Sequence, residues 1–198
     1  MNSINVQKRD LAVKAKKMRR LGLVPGNVFG KSLSGSISIQ MDEKSAQKLV
    51  RQNREGSKVS LNMDGQVFQT QFKEKTLNTL NNEILHLSFQ VLTADEKVNS
   101  IIHILLVNDE KFGALLEKMT TKIPYASMPK DMIDTITIDV DKLKSGDILT
   151  VKDVPELMND KIDLQINEDE IILRINERKH HGNMIPEEYF IFFNQQKL

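Results

Sequence analysis

KVSLNMDGQVFQTQF, residues 58 to 72, is the stretch whose reading decides the fold class. Apolar and polar side chains alternate on both sides of Asp64-Gly65, the residue pair most suited to a tight two-residue connection, so the segment reads as a β-hairpin. The same alternation extends outward from it. SINV, between Asn2 and Gln7, is short and β-prone, and NVFG around Val28 continues the pattern. SISIQM puts Ile37, Ile39 and Met41 on one face. ILHLSFQVL, from Ile84, puts Leu85, Leu87 and Phe89 on one face and His86 and Ser88 on the other. Two helices interrupt the strands. Leu11, Ala15, Met18 and Leu21 recur at spacings of four, three and three, an apolar stripe on a short helix closed by Gly22 and Pro25. DEKSAQKLVRQ has Asp42 as N-cap and Ala46, Leu49 and Val50 as its inner side. About six strands and two helices within some 93 residues predict a small antiparallel barrel.

TADEKV, residues 93 to 98, reads as a linker, and alternation resumes beyond it. VNSIIHILLV, DTITIDVDKL, ILTVKDV and EIILRINER are predicted strands, with a short helix and a further strand in KFGALLEKMTTKIPYAS. Lys144 to Asp147 is a turn. The expectation is a mainly β protein with few helices: a barrel domain over 1–93, a second β-rich domain over 94–178, and a tail over 179–198. The tail is partly apolar at Tyr189 to Phe193 and is expected to dock.

The charges divide along the chain. The whole carries +1, but residues 1–93 hold 15 basic and 7 acidic side chains, a balance of +8, while 94–178 hold 11 and 18, a balance of −7. Such a split suggests that the first half meets a polyanion. Hydrophobic content of 39% and charged content of 28% are those of a globular chain. No apolar run reaches the roughly 20 residues of a membrane span, the N-terminus lacks a secretory core, and cysteine is absent. A cytoplasmic protein without disulfides or membrane contact is expected.

Basic character is sharpest over residues 8–20, where Lys8, Arg9, Lys14, Lys16, Lys17, Arg19 and Arg20 meet one acid, Asp10. At about 100° per residue Lys16, Lys17, Arg19 and Arg20 fall outside the apolar stripe. Cations on a rigid face displace condensed counterions from phosphates, and arginine adds forked contacts to phosphate or to a guanine edge. Charge alone fits a solvated helix face equally well. His86 and Ser88, on one strand face, are candidates for contacts to base edges or ribose hydroxyls. Catalysis has no carrier: no phosphate-cradling glycine loop or nucleophile elbow is present, and Asp139 and Asp141 read as solvated surface. His180-His181 has no partner at ligand spacing, so neither metal nor cofactor is expected.

The stretch from Arg9 to Gly30, RDLAVKAKKMRRLGLVPGNVFG, resembles the N-terminal signature of a bacterial family of 5S rRNA-binding proteins, ribosomal protein twenty-five of the large subunit. In that family a basic helix runs into G-x-V-P-x-x-x-(Tyr/Phe)-G, a spacing kept at Gly22, Val24, Pro25, Phe29 and Gly30. His86-Leu87-Ser88-Phe89 is similar to the family's His-x-Asp-Phe. TITIDVDKLKSGDILTVKDV and VNSIIHILLV resemble the second domain of the two-domain branch, general stress protein Ctc. The resemblance covers about residues 4–178. It implies a non-enzymatic ribosomal protein whose barrel holds 5S rRNA within the large subunit, with neighbouring ribosomal proteins as further partners. The RNA-binding residues expected are Arg9, Lys14, Lys16, Lys17, Arg19, Arg20, Phe29, His86 and Ser88. Phe29 stands at a position usually tyrosine, whose ring can pack on a ribose. Two departures stand out: Leu11-Ala12-Val13 replaces Gly-Lys-Gly, and Ser88 replaces an aspartate. An alternative function is a stress-associated protein-interaction module with weak or lost 5S rRNA binding.

Overall fold

A computed structural model describes residues 3–177. The apolar tail and His180-His181 lie outside the described residues. The first half closes into a six-stranded barrel of β1 (Ile4–Lys8), β2 (Leu23–Phe29), β3 (Ile37–Asp42), β4 (Lys58–Met63), β5 (Gln66–Leu77) and β6 (Ile84–Val91), in the order β1-β3-β2-β6-β5-β4. The hairpin is as the alternation predicts: Met63 pairs with Gln66, and Asp64 and Gly65 take φ of 54° and 84°. Positive φ at both turn residues matches the twist of the strands it joins. Four junctions are antiparallel. β2 with β6 and β1 with β4 are parallel. Period-two alternation marks which face is buried, not which strand lies alongside, so the two parallel closures leave no local trace in the sequence.

The barrel interior is filled from alternate positions, with Ile39, Leu61, Phe72, Leu87 and Phe89 fully buried. Phe72 and Phe89 stack obliquely with centroids 5.7 Å apart. β6 closely approaches β2 at Gly26, where a Cβ would stand 2.7 Å from the Leu87 carbonyl oxygen. α2 (Glu43–Gln52) caps one end, begun by Asp42, whose carboxylate accepts from the Ser45 N–H at 2.8 Å, and anchored by buried Ala46 and Leu49.

Residues beyond 97 form two small sheets. β7 (Val98–Val107), β9 (Lys122–Ser127), β10 (Thr135–Asp139) and β12 (Ile162–Leu164) align as β10-β7-β9-β12. β8 (Leu116–Lys118), β11 (Ile148–Thr150) and β13 (Ile171–Ile175) align as β11-β13-β8. Three residues suffice for β12, too few to show alternation in sequence. Val151–Asp153, expected as strand, is a 3-10 turn in which the Asp153 carboxylate accepts from Thr150 N–H and Oγ1. The barrel meets this half through residues 55–57. His103 Nε2 donates to the Glu55 carbonyl at 2.8 Å, and Gly56 lies so close to β7 that a Cβ would be 2.9 Å from the Ile101 carbonyl oxygen. Lys31 pairs with Glu96 at 2.6 Å and Lys73 donates to the Asn99 carbonyl.

Candidate nucleic-acid interface

The basic stretch folds as α1 (Ala15–Arg20), shorter than its apolar spacing predicts. Asp10 accounts for the difference. Its carboxylate accepts from the Ala12 N–H at 2.9 Å and its carbonyl from Val13 N–H, which holds residues 10–13 in a turn. Leu11 therefore leaves the helical frame and is 75% exposed, and Leu21, beyond the helix end, is 65% exposed. One residue of the expected stripe, Met18, carries the burial, at 1% exposure. So short a helix cannot persist alone and depends on this anchor. Gly22 takes φ 75°, donates to the Arg19 carbonyl and hands the chain to β2. Leu11, Ala12 and Val13 all keep negative φ, so the turn does not require glycine.

Lys14, Lys16, Lys17 and Arg20 are exposed, and none has a carboxylate within ion-pair distance among the described residues. With Lys17, Arg19 and Arg20 in the last turn, the cations also complement the negative end of the helix dipole. Arg19 stands apart from the expected outward arc. It is half-buried, with Nε 3.3 Å from Glu83 and Nη1 donating to the Leu85 carbonyl, so it straps α1 to the start of β6. Arg9 is likewise half-buried; Nη2 donates to the Val13 carbonyl and Nε is buried with no hydrogen-bond partner among the described residues.

Beside α1 the outer surface of β2, β6 and β5 is polar. Asn27 pairs in register with Ser88 and Phe29 with Gln90, while Ser88 pairs with Glu74 on the other side. Ser88 Oγ donates to Asn27 Oδ1 at 2.8 Å, and Asn27 Nδ2 reaches Ser36 Oγ. The hydroxyl hydrogen of Ser88 is thus engaged and its lone pairs remain for an incoming donor. His86 faces Thr76 across the ladder and is half-buried. Burial lowers its pKa, with Glu74 opposing the shift and Arg9 adding to it, which favours the neutral imidazole. Phe29 is half-buried at the end of β2.

Two residues in this patch escaped sequence reasoning. Asn27 lies two positions before Phe29 on the same strand face, a spacing that could have flagged it. Glu74 enters through a bulge at Lys73, which no sequence pattern announces. The surface thus combines a row of exposed cations with a strip of amide, hydroxyl and imidazole groups, suited to phosphates and to base or sugar edges. Among the described residues it holds no nucleophile against a base. Asp139 Oδ1 accepts from Asn108 Nδ2 and from Asp141 N–H, a structural arrangement rather than a carboxylate pair. No helix among the described residues is long and apolar enough to cross a membrane.

A six-stranded barrel that sets exposed cations beside a strip of polar groups defines a candidate nucleic-acid-binding protein, and comparison with known families says of which kind. Residues 4–89 match the model of the ribosomal L25p family and residues 97–179 that of the ribosomal protein TL5 C-terminal domain. Proteins described as large ribosomal subunit protein bL25 are similar along most of their length. That of Pseudoalteromonas translucida is 32% identical over 146 residues, covering 71% of this chain and 70% of the relative. That of Akkermansia muciniphila is 30% identical over 143 residues, covering 70% and 71%. That of Listeria monocytogenes is 26% identical over 179 residues, covering 88% and 85%. The chain belongs to the L25 family of ribosomal proteins, in its two-domain form.

Proposed function

We propose that this ribosomal protein binds 5S rRNA within the large subunit through α1 and the adjoining outer face of β2 and β6. The observation that carries the reading is the row of exposed cations Lys14, Lys16, Lys17 and Arg20, unpaired among the described residues and held rigid by Met18 beneath. Phosphates take these cations, which fixes position. Ser88, Asn27 and His86 then meet base or ribose edges, with Phe29 packing against a sugar. Arg19 and Arg9, both strapped to the protein, serve chiefly to position α1. The barrel segment, residues 1–93, is the RNA-binding unit. Residues 94–178, at a balance of −7, form an accessory domain that like charge keeps off RNA and that faces neighbouring ribosomal proteins. The protein works on the ribosome in the cytoplasm.

A gel shift of the full chain against 5S rRNA and a control RNA of equal length tests this. Tighter binding to 5S rRNA, lost in Lys16→Glu/Lys17→Glu, is expected. Equal affinity for both RNAs, or binding insensitive to that change, would point instead to a protein-interaction role.

A further inference from the structure

The barrel carries a second array of cations that the α1 face does not use. On α2, Lys44, Lys48 and Arg51 are all exposed and recur at helical spacing, within an arc of about 60°. Buried Ala46 and Leu49 lie on the opposite side of the helix. Successive cations stand one turn apart, roughly 5–6 Å between Cβ atoms. None has a carboxylate within ion-pair distance among the described residues. The nearby acids are occupied: Asp42 caps the helix, and Glu43 accepts from Gln47 Nε2 at 3.2 Å. Lys48 also borders a groove of about 440 Å³ between α2 and the β1–β4 junction, whose other lining mixes polar Asn5, Asn53 and Lys58 with apolar Ile4, Leu49 and Val59.

The chemistry of this face selects its partner. An axial row of single positive charges, flanked by the amides of Gln47 and Gln52, matches a phosphate backbone. The row itself exposes no aromatic or large aliphatic side chain to act as the anchor that a protein hot spot requires. It also lacks the apolar stripe that inserts into a lipid surface. We propose that α2 is a second phosphate-binding face, on which Lys44, Lys48 and Arg51 hold an rRNA backbone segment apart from the one engaged by α1, with Lys48 and Lys58 directing polar groups of that segment into the groove. The protein then ties two stretches of RNA together rather than decorating one. This rests on the reading of the chain as an rRNA-binding protein.

The test uses the full chain, large ribosomal subunits stripped of this protein, and two variants, Lys44→Gln/Lys48→Gln/Arg51→Gln and Lys16→Gln/Lys17→Gln. Glutamine keeps helix propensity, and an unchanged unfolding midpoint verifies the fold. The triple variant is expected to bind subunits about 10- to 100-fold more weakly near physiological salt, with the slope of log affinity on log salt shallower by roughly 2 to 3. Because the chain contains no cysteine, Gln47→Cys gives a single attachment point for a photoreactive aryl azide. Cross-links from it to rRNA are expected. Affinity and slope equal to those of the unaltered chain, or cross-links to protein alone, overturn the proposal. Should the Lys16/Lys17 variant bind normally while the triple variant fails, the α1 reading falls and the α2 face stands.

Discussion

Ser88 Oγ donates a 2.8 Å hydrogen bond to Asn27 Oδ1, and the two residues are register partners across the parallel junction of β6 and β2. Their neighbour on the far side of Ser88 is Glu74. A carboxylate at position 88 would therefore stand directly across the ladder from another. Ser88→Asp is expected to cost about 0.2–1 kcal/mol of stability, and Glu74→Gln in the same chain to recover it. A double-mutant cycle by chemical denaturation measures this. Additive effects of the two changes would mean that the carboxylates do not meet.

Arg19 and Lys17 are close in sequence and differ in role. Lys16→Glu/Lys17→Glu is expected to leave stability within about 0.5 kcal/mol of the parent, as befits exposed side chains. Met18→Ala, in contrast, removes the anchor of α1 and is expected to cost about 2–5 kcal/mol. Thermal melts compare them. A charge reversal as damaging as the Met18 truncation would place those lysines in the scaffold.

Gly26 and Gly65 separate two reasons for glycine. At Gly65 an added Cβ meets nothing within 4 Å, and φ of 84° is the whole penalty, so Gly65→Ala is expected to cost about 1–2 kcal/mol. At Gly26 the Cβ would drive into the Leu87 carbonyl, where β2 and β6 close the barrel, and Gly26→Ala is expected to prevent folding of the barrel. Circular dichroism and proteolysis of the two variants decide the order. Similar stabilities would remove the case for close approach at the β2–β6 junction.

His86 gives the fold a pH dependence of known sign. Its folded pKa lies below the ordinary 6.5 because burial disfavours the imidazolium. As pH falls below about 6.5 the unfolded chain takes up the proton first, so the stability His86 contributes is full above that value and declines until the folded pKa is reached. The lowered carboxylates Asp42, Asp109, Asp139 and Asp153 act below 3.8, outside this window. His86→Gln is expected to flatten the stability profile just below pH 6.5. An unchanged slope would locate the titration elsewhere.

What could be read in the sequence follows the range of the forces involved. The Asp64-Gly65 hairpin, the Asp42 cap and the buried side of α2 are local consequences of turn chemistry and periodicity, and they appear where expected. Nonlocal features were illegible. The parallel closures of β1 on β4 and β2 on β6 bring together residues far apart in the chain. The strap from Arg19 to Glu83 and Leu85 spans 66 residues to that carbonyl, so helical spacing alone could only place Arg19 on the outer arc. Leu11 misled because its spacing fitted a helix that the Asp10 turn does not let begin until Ala15. The same logic governs the candidate site. The exposed lysines of α1 were visible as a charge run, whereas Asn27 and Glu74 join Ser88 only through strand register.

The most direct measurement is the affinity of the full chain for 5S rRNA as a function of salt, alongside Lys16→Glu/Lys17→Glu. With about four to six phosphates neutralised, log affinity should fall on log salt with a slope of roughly −3 to −5, and the variant should lose binding while keeping its melting midpoint. A flat salt dependence, or a folded variant that binds as well as the parent, would contradict the account.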